Sequence, residues 1–307
     1  MATQKEVRNR ISSVKNIHKI TRAMEMVAAA RLRRAEQRIE AMRPYAEAIR
    51  KMARDVSEAS EGAAARVPIL QHREPEAKVG VLLVTGDRGL AGAFNTQIIR
   101  EGLKLKRDYA SESGQVTFSV VGRRGNSTMQ FRGEEVAGSY VGFTERPAFA
   151  DARRISRDLT SAFTDGHLDR VDLVYNRYVS PLTQYVRRHT LLPLREAEVF
   201  GESASEPEPE AGDPALEEAD RRASWVYEPE AEDLLPMLFE EYVDLSVYRA
   251  LLESAASELG ARMTAMRSAS ENAQEMIADL TLEMNRVRQA EITQEILEVV
   301  GGAEALG

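Results

Sequence analysis

The sequence contains no cysteine and few aromatic residues, which make up 6% of its 307 residues. The absence of cysteine excludes a disulfide framework and thiolate chemistry. Low aromatic content together with abundant Ala, Glu and Arg favours long helices over a sheet-dominated core. Long apolar runs are missing as well, because no stretch approaches eighteen consecutive apolar residues. We therefore expect no membrane-spanning helix.

Export signals are also missing from the start of the chain. The first six residues have neither an apolar signal core nor the acid-poor character of a transit peptide. We therefore expect the product to stay in the compartment where it is made, most simply a bacterial cytoplasm. With 43% apolar residues, the chain has enough material for a real core in one or two domains.

Residues 230–307 are predicted to form one long C-terminal coiled-coil helix. Apolar residues recur there at alternating three- and four-residue steps, the spacing of a narrow stripe on a helix. The stripe runs through Leu238, Tyr242, Leu245, Tyr248, Leu252, Ala256, Leu259, Met263 and Met266, and continues to Val287. Gly301 and Gly302 are expected to end this helix. Some seventy residues would make a rod of roughly 105 Å, which needs a partner helix.

Residues 1–60 are predicted to form that partner, an N-terminal coiled-coil helix. Thr3 and Glu6 have the spacing of a capping box at its start. We expect the apolar stripe to shift by one residue near Ala28, which would be a local change of winding. Before the shift it runs through Val7, Ile11, Val14, Ile17, Ile20, Met24 and Val27, and after it from Ala28 to Val56. Pro44 is expected to kink or split the helix.

The two terminal segments carry opposite charge. Residues 1–58 hold fourteen Lys or Arg against seven Asp or Glu, whereas residues 230–307 hold five Arg against sixteen Asp or Glu. Matching stripes with opposite flanking charge favour a coiled coil, antiparallel because a globular insert joins the helices. Small residues every four positions would let the backbones approach closely, at Ser257, Ala261, Ala265, Ala269 and Ala273. The alternative is two ordinary bundle helices that pack on the middle of the chain.

Residues 76–196 are predicted to form a central Rossmann-like α/β domain with a partly parallel sheet. Strands are expected at residues 78–85, 115–121, 171–179 and 184–192, and helices at about 95–109, after residue 122, and at 148–163. Residues 197–224 are predicted to be an acidic disordered loop. Between residues 198 and 220 there are nine acids and three prolines but no base.

A glycine-rich turn follows the first strand and leaves a nucleotide-binding Rossmann-like enzyme as one alternative. Gly86, Gly89 and Gly92 have the spacing G-x-x-G-x-x-G, which matches neither the dinucleotide fingerprint nor a P-loop. Tight turns in a structural domain are the simpler interpretation. The four histidines have no metal-ligand spacing. We predict no catalytic residue, no metal and no cofactor, and the scattered basic residues do not favour nucleic-acid binding.

Three motifs resemble the gamma subunit of F-type ATP synthases over nearly the whole chain. They are KEVR at residues 5–8 with KITRAMEMVAAA at residues 19–30, VTGDRGLAGAFN at residues 84–95, and RQAEITQEILEVVGGA at residues 288–303. A shorter match is YEP at residues 227–229. The acidic loop is longer than the family's usual bacterial pattern. The absence of the two regulatory cysteines of chloroplast members indicates a bacterial type.

The resemblance implies a central-stalk rotor subunit. In the family, the terminal helices form an antiparallel coiled coil inside a ring of alpha and beta subunits, and the α/β domain joins the epsilon subunit and the c-ring. Proton flow turns the rotor, and ATP is made on beta. The implied partners are therefore alpha, beta, epsilon and the c-ring, with no nucleic acid and only indirect membrane contact. The implied location is the cytoplasmic face of the inner membrane. A coiled-coil adaptor outside the synthase is the second alternative.

The resemblance also implies contact residues. Contacts to the beta subunit are expected at Arg288, Gln289, Thr293, Glu295 and Met24, although Met24 also fits the coiled-coil stripe and Arg288 could instead pair with Glu291 or Glu283. Contacts to epsilon and the c-ring are expected at Trp225, Tyr227 and Glu228, where Tyr227 could instead be core.

Overall fold

A computed structural model describes residues 3–59, 67–111, 114–195 and 230–304. A long helix stands at each end of the described chain, and five strands with three helices lie between them. In chain order the elements are α1 Gln4–Ala59, β1 Lys78–Val84, α2 Phe94–Ser111, β2 Gln115–Val121, α3 Arg123–Phe131, β3 Val136–Tyr140, α4 Phe149–Thr164, β4 Arg170–Ser180, β5 Thr183–Leu192 and α5 Ala231–Glu304. A short 3₁₀ turn, Pro68–Leu70, precedes β1.

The five strands form one mixed sheet in the order β3-β2-β1-β4-β5. The first four are parallel, and β5 runs antiparallel to β4. This order is that of a Rossmann-like half, with the strand order reversing between β1 and β4. The α/β class expected from the sequence is therefore confirmed. Strand β3 was missed, because Val136–Tyr140 contains Ala, Gly and Ser and owes its strand conformation to pairing with β2.

The sheet is covered on both faces, which explains the continuous apolar run of β1. Leu83 points toward α2, where it lies against Gly102. Leu82 and Val84 point the other way, into a buried cluster that also contains residues of α4 and α5. Side chains at alternate positions of one strand therefore serve two separate layers.

The chain divides into two compact units. Unit 1 comprises residues 1–33, 90–92 and 259–307, and unit 2 comprises residues 34–89 and 93–258. Within unit 2, Ala53 and Val56 of α1 join Leu235, Phe239 and other residues of α5 in the core on one face of the sheet. The ends of the two long helices that belong to unit 2 are thus part of the α/β core.

Within unit 1, α1 and α5 pair antiparallel. The backbone N–H of Gln4 donates to the Glu291 carboxylate at 3.3 Å, and Arg267 Nε donates to Glu25 Oε1 at 3.0 Å. Residue numbers therefore rise along α1 as they fall along α5, so the two helices run in opposite directions. The antiparallel pairing expected from the sequence is present in this unit.

The buried interface between α1 and α5, which we call the seam, differs from the expected stripe. No one-residue shift occurs, because the buried side of α1 keeps steps of three and four through Thr21 and Glu25. Ile17, Ile20 and Val27 are instead 52%, 59% and 51% exposed. The predicted stripe followed the apolar residues Ile17, Ile20 and Val27, which lie outside the interface with α5. Constant heptad spacing keeps the same side of α1 against α5 even where it places polar residues there.

The ends and prolines of the long helices also differ from expectation. Pro44 does not split α1, which continues to Ala59. Its neighbours Met42, Ala46 and Ile49 are buried against α5, so packing offsets the one hydrogen bond that proline removes. Gly301 and Gly302 do not end α5, which continues to Glu304. A glycine weakens a helix by only about 1 kcal/mol relative to alanine.

Gly122 is predicted to be irreplaceable for a steric reason. Its φ is +92°, and a Cβ atom there would overlap the carbonyl group of Thr85. Gly133 is a matched control, since its φ is +74° but its Cβ would meet no atom within 4 Å. We expect Gly133→Ala to lower the free energy of unfolding by about 1 kcal/mol and Gly122→Ala by roughly 3 kcal/mol or more. Urea unfolding of both variants tests this, and equal losses would contradict it.

Candidate functional surfaces

The crevice where Rossmann-like enzymes bind nucleotides is filled by this chain's own helix. In open α/β sheets that crevice lies at the carboxyl ends of the strands, where the strand order reverses. Here Ser254 Oγ of α5 donates to the carbonyl of Val84 at the end of β1, at 3.3 Å. Ser257 Oγ donates to the carbonyl of Asn176 in β4, at 3.1 Å. Helix α5 therefore occupies the place of a ligand between β1 and β4.

The glycine-rich turn is closed by the same helix. A Cβ on Gly86 would come within 2.7 Å of the carboxyl group of Glu258, which is almost fully buried. The Gly86 N–H donates to the Asn95 side chain at 2.8 Å. The Gly86 backbone therefore lies directly against the Glu258 side chain of α5. A bound phosphate would need to reach the backbone of Gly86 and its N–H group. Both are already covered by protein atoms, namely by Glu258 and Asn95.

Asp87 takes the position of an anion at the start of α3. Its carboxylate accepts hydrogen bonds from the backbone N–H of Arg123 at 3.0 Å, of Gly142 at 2.9 Å and of Thr144 at 3.2 Å. Burial raises the pKa of Asp87, but these hydrogen bonds outweigh it, so the pKa lies below its ordinary 3.8. A negative charge already occupies the helix N-terminus that could attract a phosphate. This geometry favours a structural turn over nucleotide binding.

Asp87 was not among the residues predicted from the sequence to have a role. The signal was present, since an aspartate in a glycine-rich turn after a strand often accepts backbone hydrogen bonds. Its role is to connect the end of β1 to the start of α3 and to the loop after β3. The sequence alone does not show that these three segments meet in the folded protein.

Helix α5 continues past the start of its partner. Because Gln4 lies beside Glu291, the residues beyond 291 have no α1 residue opposite them in the described part of the chain. We call residues 292–300 the tail. Its apolar side chains are 48–73% exposed and comprise Ile292, Ile296, Leu297, Val299 and Val300. So many exposed apolar side chains on one helix indicate an interaction surface.

A second apolar surface lies on α1. Ile17, Ile20, Met24 and Val27 follow one another at steps of three and four, beside the seam with α5, and we call them the outer stripe. Met24 is half-buried and the other three are exposed. Within unit 1, α1 therefore has an exposed apolar stripe beside the mixed polar and apolar face that α5 covers.

The predicted contact residues on α5 are all exposed. This holds for Arg288, Gln289, Thr293 and Glu295, and the Thr293 hydroxyl donates to the carbonyl of Gln289 at 2.9 Å. Met24 is not brought beside them, because its neighbour Glu25 pairs with Arg267, about 30 Å before Arg288 along the helix. Trp225, Tyr227 and Glu228 lie outside the described residues.

Comparison with known proteins gives the family. The family model described as ATP synthase matches residues 3–306. The ATP synthase gamma chain of Rubrobacter xylanophilus is 41% identical over 306 residues, which cover 100% of this chain and 99% of that protein. The chain belongs to the ATP synthase gamma chain family.

Two solved structures agree with the gamma-chain fold. A chain in the central stalk and c-ring structure of the Tetrahymena thermophila mitochondrial ATP synthase is 29% identical, with a TM-score of 0.59, covering 82% of this chain and 99% of that one. A chain of the Euglena gracilis mitochondrial ATP synthase has a TM-score of 0.66 over 99% of this chain and 94% of that one. At 20% identity, the second shows a shared fold.

None of the helices in the described ranges is long and apolar enough to cross a membrane.

Asp87→Asn is predicted to destabilise the fold in a pH-dependent way. Loss of the charge weakens three backbone hydrogen bonds, and we expect the free energy of unfolding to fall by about 2 kcal/mol at neutral pH. Because the folded pKa is depressed, the wild-type advantage exists above the ordinary 3.8 and is lost as the pH falls below it. Thermal unfolding at about pH 7 and about pH 3 measures the difference, with the exposed Asp279→Asn as control. A difference that stays constant with pH would contradict this role.

Proposed function

We propose that this protein is the central-stalk rotor subunit of an F-type ATP synthase. In that role it couples proton flow through the c-ring to ATP synthesis on the beta subunits. The observation that carries the proposal is the exposed tail of α5 beyond its helical partner, in a chain of the gamma family. A helix whose apolar side chains are left uncovered by the described part of the chain offers a surface for a surrounding partner.

The character of the exposed surfaces suits rotation. Apolar contact is non-directional, so it holds a helix in place without fixing its angle about the axis. Within unit 1, helix α5 has α1 beside it up to residue 291, so the pair presents different surfaces on different sides. A uniform cylinder would present every beta subunit with the same surface and would bias none of them.

The polar contacts of the proposed rotor are assigned by the family motif. We assign Arg288, Gln289, Thr293 and Glu295 to contacts with beta, and their exposure supports this assignment. Met24 on the outer stripe is assigned to the same subunit, at a different position along the axis of the α1–α5 pair. Trp225, Tyr227 and Glu228 are assigned to epsilon and the c-ring loops.

The proposal includes a non-catalytic role, with ATP made at sites on beta. It also places the protein peripherally on the cytoplasmic face of a bacterial inner membrane, held there through the c-ring. We retain the division into a helix at residues 1–60, a central domain at 76–196, an acidic loop at 197–224 and a helix at 230–307. The predicted disorder of that loop concerns residues outside the described part.

Arg288→Ala is predicted to reduce ATP-driven proton pumping in inverted membranes several-fold. The side chain is exposed, so its removal costs little folding energy, whereas a charge–charge contact to beta would be lost. Arg286→Ala is the matched control, because it removes the same charge from an exposed position that points in another direction on α5. Equal pumping by the two variants, at wild-type levels, would count against the assignment.

Co-purification separates the rotor from a coiled-coil adaptor. We expect the tagged full chain, expressed with the synthase subunits, to purify with alpha, beta and epsilon. Replacing Ile296 and Val299 by Gln should weaken that assembly while the helical circular dichroism stays unchanged, because both side chains are exposed. Recovery of the chain without any synthase subunit would favour an adaptor.

Calorimetry separates the rotor from a nucleotide-binding enzyme. We expect neither ATP nor NADP to bind the isolated full chain stoichiometrically, since α5 and Asp87 occupy the crevice and the helix N-terminus. Saturable binding of one nucleotide per chain would favour the enzyme alternative.

A further inference from the structure

An ion pair in the seam between α1 and α5 joins a buried carboxylate, Glu25, to Arg267, whose side chain is 49% exposed. Glu25 is 7% exposed and stands at a seam position of α1. Its carboxylate accepts hydrogen bonds from Arg267 Nε across the seam at 3.0 Å and from Arg22 Nη1 of its own helix at 2.8 Å. The hydrogen bond from Arg267 lowers the pKa of Glu25 against the effect of burial. The carboxylate is therefore charged at neutral pH and held from both helices.

One row of small residues beside the ion pair does not by itself fix the helices lengthwise. Thr21, one turn before Glu25, donates its hydroxyl to the Ile17 carbonyl of its own helix at 3.0 Å, not to α5. On α5, Ala261, Ala265, Ala269 and Ala273 repeat every four residues. A slide of α5 by one turn would replace alanine by alanine along this row. Packing along this row therefore distinguishes poorly between neighbouring registers, whereas Met263, Met266 and Ser270 beside it are buried and differ in size.

Only the native register gives Glu25 a cation from α5 at the place of Arg267. A slide by four residues brings Met263 or Glu271 to that place, and a slide by seven brings Gly260 or Gln274. Each alternative removes the cross-seam cation from a buried carboxylate, and Glu271 adds a like charge. Removing the cation that faces a buried carboxylate leaves that charge less well compensated, which is destabilising. Buried polar residues at single seam positions are known to set register in this way.

We propose that the Glu25–Arg267 pair fixes the longitudinal register of α1 against α5. Glu25 and Arg267 are thus positioning residues: they determine which residues of α5 extend beyond the start of α1 as the tail. A slipped register would shift Arg288 and the tail along the helix axis relative to α1. The expected effect on coupling rests on the proposed rotor function.

Distance measurement on the full chain tests the register directly. Because the sequence has no cysteine, two introduced cysteines give uniquely placed spin labels. Val27→Cys and Met276→Cys are suitable, since both side chains are 51% exposed. Residue 276 lies about 13 Å along α5 from Arg267, so a one-turn slide changes the label distance by roughly 5 Å.

We expect a single distance in the wild-type background. Glu25→Leu should add a second population displaced by roughly 5 Å, one helical turn. The charge-reversed pair, Glu25→Arg with Arg267→Glu, should restore the single distance. Glu283→Leu removes an exposed acid from α5 and should leave the distance unchanged. A single wild-type distance in folded Glu25→Leu would overturn the proposal.

One further variant and one further outcome keep the test decisive. If Glu25→Leu lowers the helical content, Glu25→Gln retains the side-chain volume and a hydrogen-bond acceptor, and a smaller displaced population is expected. Failure of the folded charge-reversed pair to recover the native distance, with Glu25→Leu displaced, would also overturn the proposal, because the pair's complementarity would then not set the register.

Proton pumping by the assembled synthase separates this inference from the proposed function. We expect Glu25→Leu to lower pumping and the charge-reversed pair to recover it. Displaced distances with normal pumping would support the register role and count against the rotor function. Unchanged distances would overturn the register role whatever the pumping shows.

Discussion

Burial changes along helix α5, and the elements packed around each part of the helix change with it. Residues 251–260 are buried without exception, from 261 to 291 burial is confined mainly to one side, and nearly every side chain of the tail is exposed. A helix buried on all sides belongs to a core, and a helix buried along one stripe belongs to a coiled coil. One continuous helix therefore has three environments, and the elements around it differ accordingly.

The fully buried part of α5 explains why a Rossmann-like sheet has no nucleotide crevice here. Ala250, Ala255 and Ala256 are small, and Ser254 and Ser257 donate to the carbonyls of Val84 at the end of β1 and of Asn176 within β4. Small and hydroxyl-bearing residues let a helix approach strand ends closely while it satisfies their exposed acceptors. The expectation of a narrow stripe over this part was wrong, because small residues allow burial on every side.

Much of the fold could be predicted from local pattern. Strand β2 was expected at its observed bounds, and the other predicted strands and helices of the α/β region differ by one or two residues at most ends. Their signals are strong because both faces of a parallel sheet are apolar. Strand β3 could not be predicted, because its conformation comes from pairing with β2 and not from its own residues. Asp87 was missed for a similar reason, since its hydrogen-bond donors lie far apart in the sequence.

The two long helices, their opposite charge, the α/β class of the segment between them and the motifs of the gamma family can be read from the sequence. These properties follow from composition and from spacing along the chain, which are local. The folded chain was needed to show which side of α1 faces α5, that Glu25 rather than Ile20 or Val27 lies in the seam, and that α5 fills the crevice of the sheet. Those outcomes depend on which distant residues meet, because the free energy of a buried charge or a close backbone contact is set by its neighbours in space.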